Sequence, residues 1–363
     1  MRSKKTTRDF GTDSYAGPLL EVNDVATHFK TPRGLVRAVD GVSFTLERGK
    51  TLGIVGESGC GKSVLSKSIM GLLPPRNVVR SGSIRYNGEE IGSAKASEMA
   101  GIWGTEMSMV FQDPMTALNP VMKVGKQITE SLRYHLDVSK SFANETATEL
   151  LRSVGIPEPA RRVSQYPFEF SGGMRQRVML AVALACGPKI LFADEPTTAL
   201  DVTIQAQILD LLDEQQRERF MAMILVTHDL GVVAGRADEI AVMYAGKIVE
   251  KAPTRALFSS MRHPYTEALF KSIPKLALPS HSHLESIPGR PPDLVDPPAG
   301  CRFAARCPYA QPICTEVEPP LIQQDELAHV AACHFPVGTE AGNEALARNK
   351  AAGVVAADSK VGG

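Results

Sequence analysis

Gly56-Glu57-Ser58-Gly59-Cys60-Gly61-Lys62-Ser63 follows directly on an apolar run over residues 51–55 and opens a helical pattern carrying Val64, Leu65, Ile69 and Met70. The stretch fits G-x-x-x-x-G-K-S. Its glycines let backbone N–H groups turn inward around phosphates, and the helix that follows adds its positive N-terminal end. Lys62 reaches the β- and γ-phosphates, and the Ser63 hydroxyl can ligate Mg²⁺. A glycine-rich turn alone could be a plain connector. The strand before it and the apolar helix after it give the phosphate-binding reading. Cys60 reads as a loop residue, not as a metal ligand.

Working outward, the chain over residues 19 to about 274 alternates short β-type runs with helical stretches, the pattern of an α/β domain. The runs at 51–55, 189–193 and 223–227 are bounded by Gly, Pro or Asp and read as buried strands of a central, largely parallel sheet. One of them continues into Asp194-Glu195. An apolar strand ending in two acids commonly marks only a strand leaving the core. Beside a phosphate loop it supplies what ATP hydrolysis needs: Asp194 to hold Mg²⁺ through water, and Glu195 to polarise the attacking water.

Composition bounds the rest. The chain has 363 residues, with 40 Lys plus Arg against 40 Asp plus Glu, so its formal net charge is zero. A neutral balance gives no electrostatic reason to expect nucleic acid as a partner or a polybasic membrane anchor. Hydrophobic residues make up 43%, enough for a large core. No signal peptide is visible, and the longest apolar run, residues 178–186, is far short of the roughly 20 needed to span a bilayer. The expectation is a soluble chain on the cytoplasmic face of the inner membrane, with any membrane part supplied by other chains. Residues 1–18 read as a flexible arm, 275–336 as a small separate Pro- and Cys-rich module, and 337–363 as a disordered tail.

Ser171-Gly172-Gly173-Met174-Arg175-Gln176-Arg177, ahead of an apolar helix, together with the loop above resembles the signature of ABC-transporter ATPases. Ser171 can cap that helix, the glycines permit close approach, and the helix dipole favours an anion. Other elements of that family follow in order. Gln112 resembles the glutamine that senses Mg²⁺ and water and contacts the membrane partner. Asp201, after Ala199-Leu200, resembles the D-loop aspartate, and His228 the switch histidine beside the γ-phosphate. Phe29 is the candidate to stack on adenine. Met174 stands where the commonest signature has Gln, and its thioether cannot reproduce a carboxamide hydrogen bond. The resemblance implies a P-loop ABC-type nucleotide-binding domain over roughly 20–275, with a helical subdomain near 113–175. It also implies ATP and Mg²⁺ bound between two subunits packed head-to-tail, the second identical or paralogous.

Pro196-Thr197-Thr198-Ala199-Leu200-Asp201-Val202-Thr203, His263-Pro264-Tyr265-Thr266, Pro288-Gly289 and the run from Asp296 to Phe303 resemble the oligopeptide/dipeptide branch, some members of which import nickel. That resemblance implies two membrane permease subunits and an extracytoplasmic peptide-binding protein as partners. Importers of nickel or another small solute, and ABC ATPases outside transport, are the alternatives. Cys301, Cys307, Cys314 and Cys333 fall close together amid prolines, with a reducing cytosol disfavouring disulfides. On composition they are one thiolate site, for zinc or an iron–sulfur cluster, or else unrelated buried thiols. The branch resemblance implies a 4Fe–4S cluster on these four positions.

Overall fold

The structure is a computed structural model and describes residues 15–198, 200–273, 287–325 and 328–353. Most of the expected arm, the expected boundary near 274, Ala199 of the D-loop stretch and the last ten residues of the expected tail lie outside the described residues.

The strands are β1 (Leu20–Thr31), β2 (Gly34–Leu46), β3 (Thr51–Val55), β4 (Val78–Tyr86), β5 (Glu89–Glu90), β6 (Met107–Val110), β7 (Ile190–Asp194), β8 (Ala222–Thr227), β9 (Glu239–Tyr244), β10 (Lys247–Pro253), β11 (Ile322–Gln323) and β12 (Val330–Ala331). They form two sheets. The smaller is antiparallel, in the order β2-β1-β4-β5, and the larger runs β11-β12-β10-β9-β3-β8-β7-β6. In the larger sheet β3 lies parallel to both β8 and β9, and β7 parallel to both β6 and β8. The expected parallel α/β centre is therefore present.

Every residue of β3 is buried, because the strand is central and both sheet faces are covered. Leu52 and Ile54 point into the core beneath the smaller sheet, while Val55 points into the core beneath the helices. Each such side chain contributes roughly 1.5–3 kcal/mol by leaving water. Gly53 has no side chain for a packing reason: a Cβ there would come within 2.9 Å of Val233.

The region between β6 and β7 is helical. Helices Val124–His135 and Lys140–Ser153 bury Ile128, Leu132, Ala143, Ala147 and Leu151 at helical spacing, and helix Gly172–Leu184 completes that core. Among the described residues no helix is long and apolar enough to cross a membrane.

Two expectations for the C-terminal part need correction. First, residues 287–336 are not a separate module. β12 pairs with β10 (Glu250 opposite Ala331) and β11 with β12, so this part extends the edge of the main sheet, and Phe303 is buried in the main core. Glu250 is fully buried at that junction. Its carboxylate accepts from the Arg262 and His263 backbone amides at 2.6 and 2.9 Å and lies 2.6 Å from Nε2 of fully buried His329. Second, the stretch expected to be disordered contains helix Glu340–Ala351. Thr339 caps it through Gly342 N–H at 3.1 Å, and its Ala, Glu, Arg and Lys are good helix formers. Asn349 Nδ2 then donates to the carbonyls of Pro308 and Ala310, both at 2.9 Å, docking the helix onto the cysteine-rich segment.

Candidate active site

The phosphate loop emerges from the C-terminal end of β3 and returns as helix Lys62–Ile69. Its glycines are required sterically at two places. A Cβ on Gly56 would lie 2.0 Å from the Met243 carbonyl oxygen. One on Gly61, whose φ is +106°, would lie 2.1 Å from the Ala38 carbonyl oxygen. Gly59 and Ser58 are exposed at the tip of the loop. The Cys60 side chain turns into the core, 5% exposed, so only its backbone belongs to the loop. Lys62 is nearly buried, and its Nζ donates to the carbonyls of Gly56 at 2.7 Å and Glu57 at 3.1 Å.

Parallel strands place the remaining groups at the same end of the sheet, where open α/β sheets bind ligands. Ser63 Oγ donates to Asp194 Oδ1 at 2.8 Å, setting hydroxyl and carboxylate side by side. Burial pushes the Asp194 carboxyl up, opposed by the Ser63 hydroxyl and by Lys67 and Lys62. A divalent cation at this pair would favour the ionised form. Glu195 sits just past β7 in the left-handed region, φ +46°, a strained turn of the kind that collects at active sites. Its Oε1 lies 3.8 Å from Lys62 Nζ. Its Oε2 accepts from Gln112 Nε2 at 3.1 Å and from Thr198 Oγ1 at 2.9 Å, with His228 Nδ1 at 3.6 Å.

The structure thus gathers Lys62, Ser63, Gln112, Asp194, Glu195 and His228. It does not gather the others. Ser171 and Gly172 are exposed at the N-terminus of helix Gly172–Leu184, where Ser171 Oγ accepts from Met174 N–H at 3.4 Å. Gly173 is small because its neighbour is Ile204, 2.8 Å from where a Cβ would be. Asp201 is exposed and caps the helix Val202–Arg219 through Ile204 N–H at 2.9 Å. Phe29 is half-buried on β1, opposite Val36 and Val78, on the smaller sheet beside the loop.

The chain matches the family model for the ABC transporter over residues 39–198, and the one for the oligopeptide/dipeptide transporter, C-terminal region, over 249–314. The oligopeptide transport ATP-binding protein OppD of Bacillus subtilis is 53% identical over 313 residues, 86% of this chain and 87% of that protein. This chain belongs to the ATP-binding subunits of oligopeptide/dipeptide ABC transporters. The dipeptide transport ATP-binding protein DppD of Escherichia coli is 46% identical over 319 residues, 88% of this chain and 97% of that one. Among solved structures, the ATP-binding cassette MJ0796, dimeric and bound to ADP and Pi, matches with a TM-score of 0.59 and 26% identity. It covers 65% of this chain and 99% of its own. The ABC-type α/β fold and the ATPase assignment stand on these matches together with the geometry.

Three further residues, not named as site candidates from the sequence, contact Glu195 or the loop. Thr198 is, with Gln112, the second hydrogen-bonding neighbour of the Glu195 carboxylate. Tyr265, from the His-Pro-Tyr stretch, accepts the Glu57 backbone N–H on its phenol oxygen at 2.7 Å. Arg306, beside Cys307, grips the Glu57 carboxylate with Nη1 and Nη2 at 2.6 and 2.8 Å. No local pattern marks Arg306, since an ion pair leaves no periodicity in a sequence.

Cys301, Cys307, Cys314 and Cys333 line one small cavity with His263 and His334. All are free thiols, and burial pushes Cys301, Cys307 and Cys333 up, Cys333 to about 12. Among the described residues no group of three or more His, Cys, Asp or Glu is placed to hold a metal ion. A zinc ion would need four donors about 2.3 Å from one point. A cubane cluster puts each thiolate on its own iron and so needs a wider ring of sulfurs. His263 Nδ1 accepts from Tyr265 N–H at 3.1 Å, which leaves the proton on Nε2, and that buried Nε2 has no partner. His334 instead makes a 2.9 Å hydrogen bond with the Val317 carbonyl through Nε2.

Proposed function

We propose that this chain hydrolyses ATP to power import of oligopeptides or dipeptides through a separate membrane permease. The observation that carries the ATPase reading is the convergence of Lys62, Ser63, Asp194, Gln112, Thr198 and His228 around Glu195. The peptide reading is carried by the matched C-terminal region and by the oligopeptide and dipeptide transport proteins that the chain resembles. Glu195 orients water for in-line attack on the γ-phosphorus, Gln112 and Thr198 hold its carboxylate, and Lys62 and His228 offset the charge that develops on the phosphoryl oxygens. Ser63 and Asp194, with Gln112, would hold Mg²⁺, which neutralises phosphate charge when bound.

Ser171 and Gly172 stand exposed at a helix N-terminus away from their own chain's loop. That placement supports a head-to-tail pair in which each ATP is completed by a second ATPase subunit, identical or paralogous. Two permease subunits and an extracytoplasmic peptide-binding protein complete the assembly, with this chain on the cytoplasmic face of the inner membrane. The cysteine cavity is assigned to a 4Fe–4S cluster held by Cys301, Cys307, Cys314 and Cys333.

The test is reconstitution of the full transporter in proteoliposomes. ATP-dependent uptake of a labelled tri- or tetrapeptide that stops with Glu195→Gln supports the reading. Uptake of nickel but not peptide would replace the substrate class. ATP turnover with no solute uptake would favour a role outside transport.

A further inference from the structure

Residue Arg306 belongs to the cysteine-rich segment, yet it ends at the phosphate loop. Its side chain is 3% exposed and spends all five of its N–H groups. Nη1 donates to Glu57 Oε2 at 2.6 Å and to the Tyr244 hydroxyl at 3.2 Å. Nη2 donates to Glu57 Oε1 at 2.8 Å and to the Ile287 carbonyl at 3.2 Å, and Nε to the Pro288 carbonyl at 2.8 Å. The guanidinium also stacks over Tyr244 and Phe303, 5.8 and 5.9 Å from their ring centroids. Such a fully satisfied, two-pronged grip is specific to arginine, because a lysine ammonium cannot reproduce the planar fork.

Glu57 is held just as completely. Its amide donates to Tyr265 Oη, its carbonyl accepts from Lys62 Nζ and, at 3.3 Å, from Cys60 N–H, and its carboxylate is taken by Arg306. Glu57 is the second residue of the loop that must wrap a polyanion. Left unpaired, its carboxylate would repel the phosphates and could swing across the loop. Paired with Arg306, its charge is cancelled and the turn at Glu57 is fixed before nucleotide arrives.

We propose that Arg306 is a positioning residue for ATP binding: it locks Glu57, and with it the phosphate loop, from the C-terminal segment. The proposal rests on the ATP-site reading above. It adds that nucleotide affinity depends on the C-terminal cysteine-rich segment, and by reciprocity bound ATP firms the Ala304–Arg306 turn that leads into Cys307.

The experiment is a double-mutant cycle on the full chain with Arg306→Gln, Glu57→Gln and both. Equilibrium titration with a fluorescent ATP analogue gives Kd, phosphate release gives kcat, and thermal melting reports folding. Each single change is expected to weaken binding by roughly tenfold, a typical coupling within one hydrogen-bonded network, with kcat at saturation much less affected. The double variant should be no weaker than the worse single. Arg306→Lys, which keeps the charge without the fork, should fall between wild type and Arg306→Gln. If Arg306→Gln fails to fold, Glu57→Gln and Arg306→Lys carry the test. Wild-type Kd in the folded single variants, or effects that simply add, would overturn the proposal. Failure of the wild-type chain to bind the analogue would instead remove the ATP-site reading on which it rests.

Discussion

Gln112 and Glu195 meet at the open end of the sheet, the Gln112 amide donating to Glu195 Oε2 at 3.1 Å. They follow the adjacent parallel strands β6 and β7, so a small shift of the chain beyond Gln112 changes what holds the carboxylate. Gln112 also opens the path into the helical region, which ties the placement of Glu195 to the part of the molecule proposed to face a permease.

Replacing that carboxylate tests its role most directly. Glu195→Gln should lower ATP turnover by about 10²–10⁴-fold, the usual loss on removing a general base, while nucleotide still binds. Gln112→Ala should cost roughly tenfold or somewhat more, the worth of one hydrogen bond to a charged group. Phosphate-release assays beside binding titrations separate the two effects, and unchanged turnover in Glu195→Gln would deny Glu195 its part.

The loop glycines should respond unequally to alanine. At Gly61 the new Cβ meets the Ala38 backbone oxygen of β2 at 2.1 Å in a left-handed conformation. Gly61→Ala should therefore destabilise by about 3 kcal/mol or more and abolish nucleotide binding. Gly59, with φ +80° and nothing within 4 Å of a Cβ, should cost only about 1–2 kcal/mol for its backbone conformation. Denaturant melts of the two variants give the comparison, and equal losses would contradict it.

Acid should reach the C-terminal part through His263. Burial holds this imidazole down at about 4, against the pull of neighbouring Glu250, so it is neutral in the fold. Its contribution is fully present above the ordinary value near 6.5 and is lost as pH falls from there through 4, because only the unfolded chain takes up the proton. The difference is worth roughly 3 kcal/mol. His263→Gln, which keeps a hydrogen-bonding side chain but cannot titrate, should flatten the stability-against-pH curve over that window. A slope unchanged from wild type would show that other groups set it.

Anaerobic purification should yield a brown chain with about four irons and matching sulfide, the content of a cubane on four cysteines. Cys307→Ser should lose both colour and iron. Stoichiometric zinc without sulfide, or no metal at all, would overturn the cluster assignment and leave the nucleotide site untouched.

The residues gathered at the candidate nucleotide site were legible because its parts are local: a loop between strand and helix, two acids at a strand end, a histidine after another strand. Their convergence needed only a parallel sheet to bring strand ends together. The grip of Arg306 on Glu57 spans 249 residues and lies outside any motif, so packing alone revealed it. The helix Glu340–Ala351 escaped for a different reason. A stretch without aromatics offers little apolar surface to bury, yet Ala345 buries fully and Asn349 supplies the docking hydrogen bonds. Likewise β11 and β12 have two residues each, too short for any alternation to show.

The fully buried pairing of Glu250 with His329 joins residues 79 apart. During synthesis β10 leaves the ribosome long before its partner does. Until His329 emerges, Glu250 has no imidazole and β10 presents an open edge, a surface prone to pairing with the wrong strand. Completion of the ATPase sheet is thus timed by a segment made after all the nucleotide motifs. A ribosome stalled before residue 329 would hold a cassette whose nucleotide motifs are all translated but whose main sheet cannot yet close.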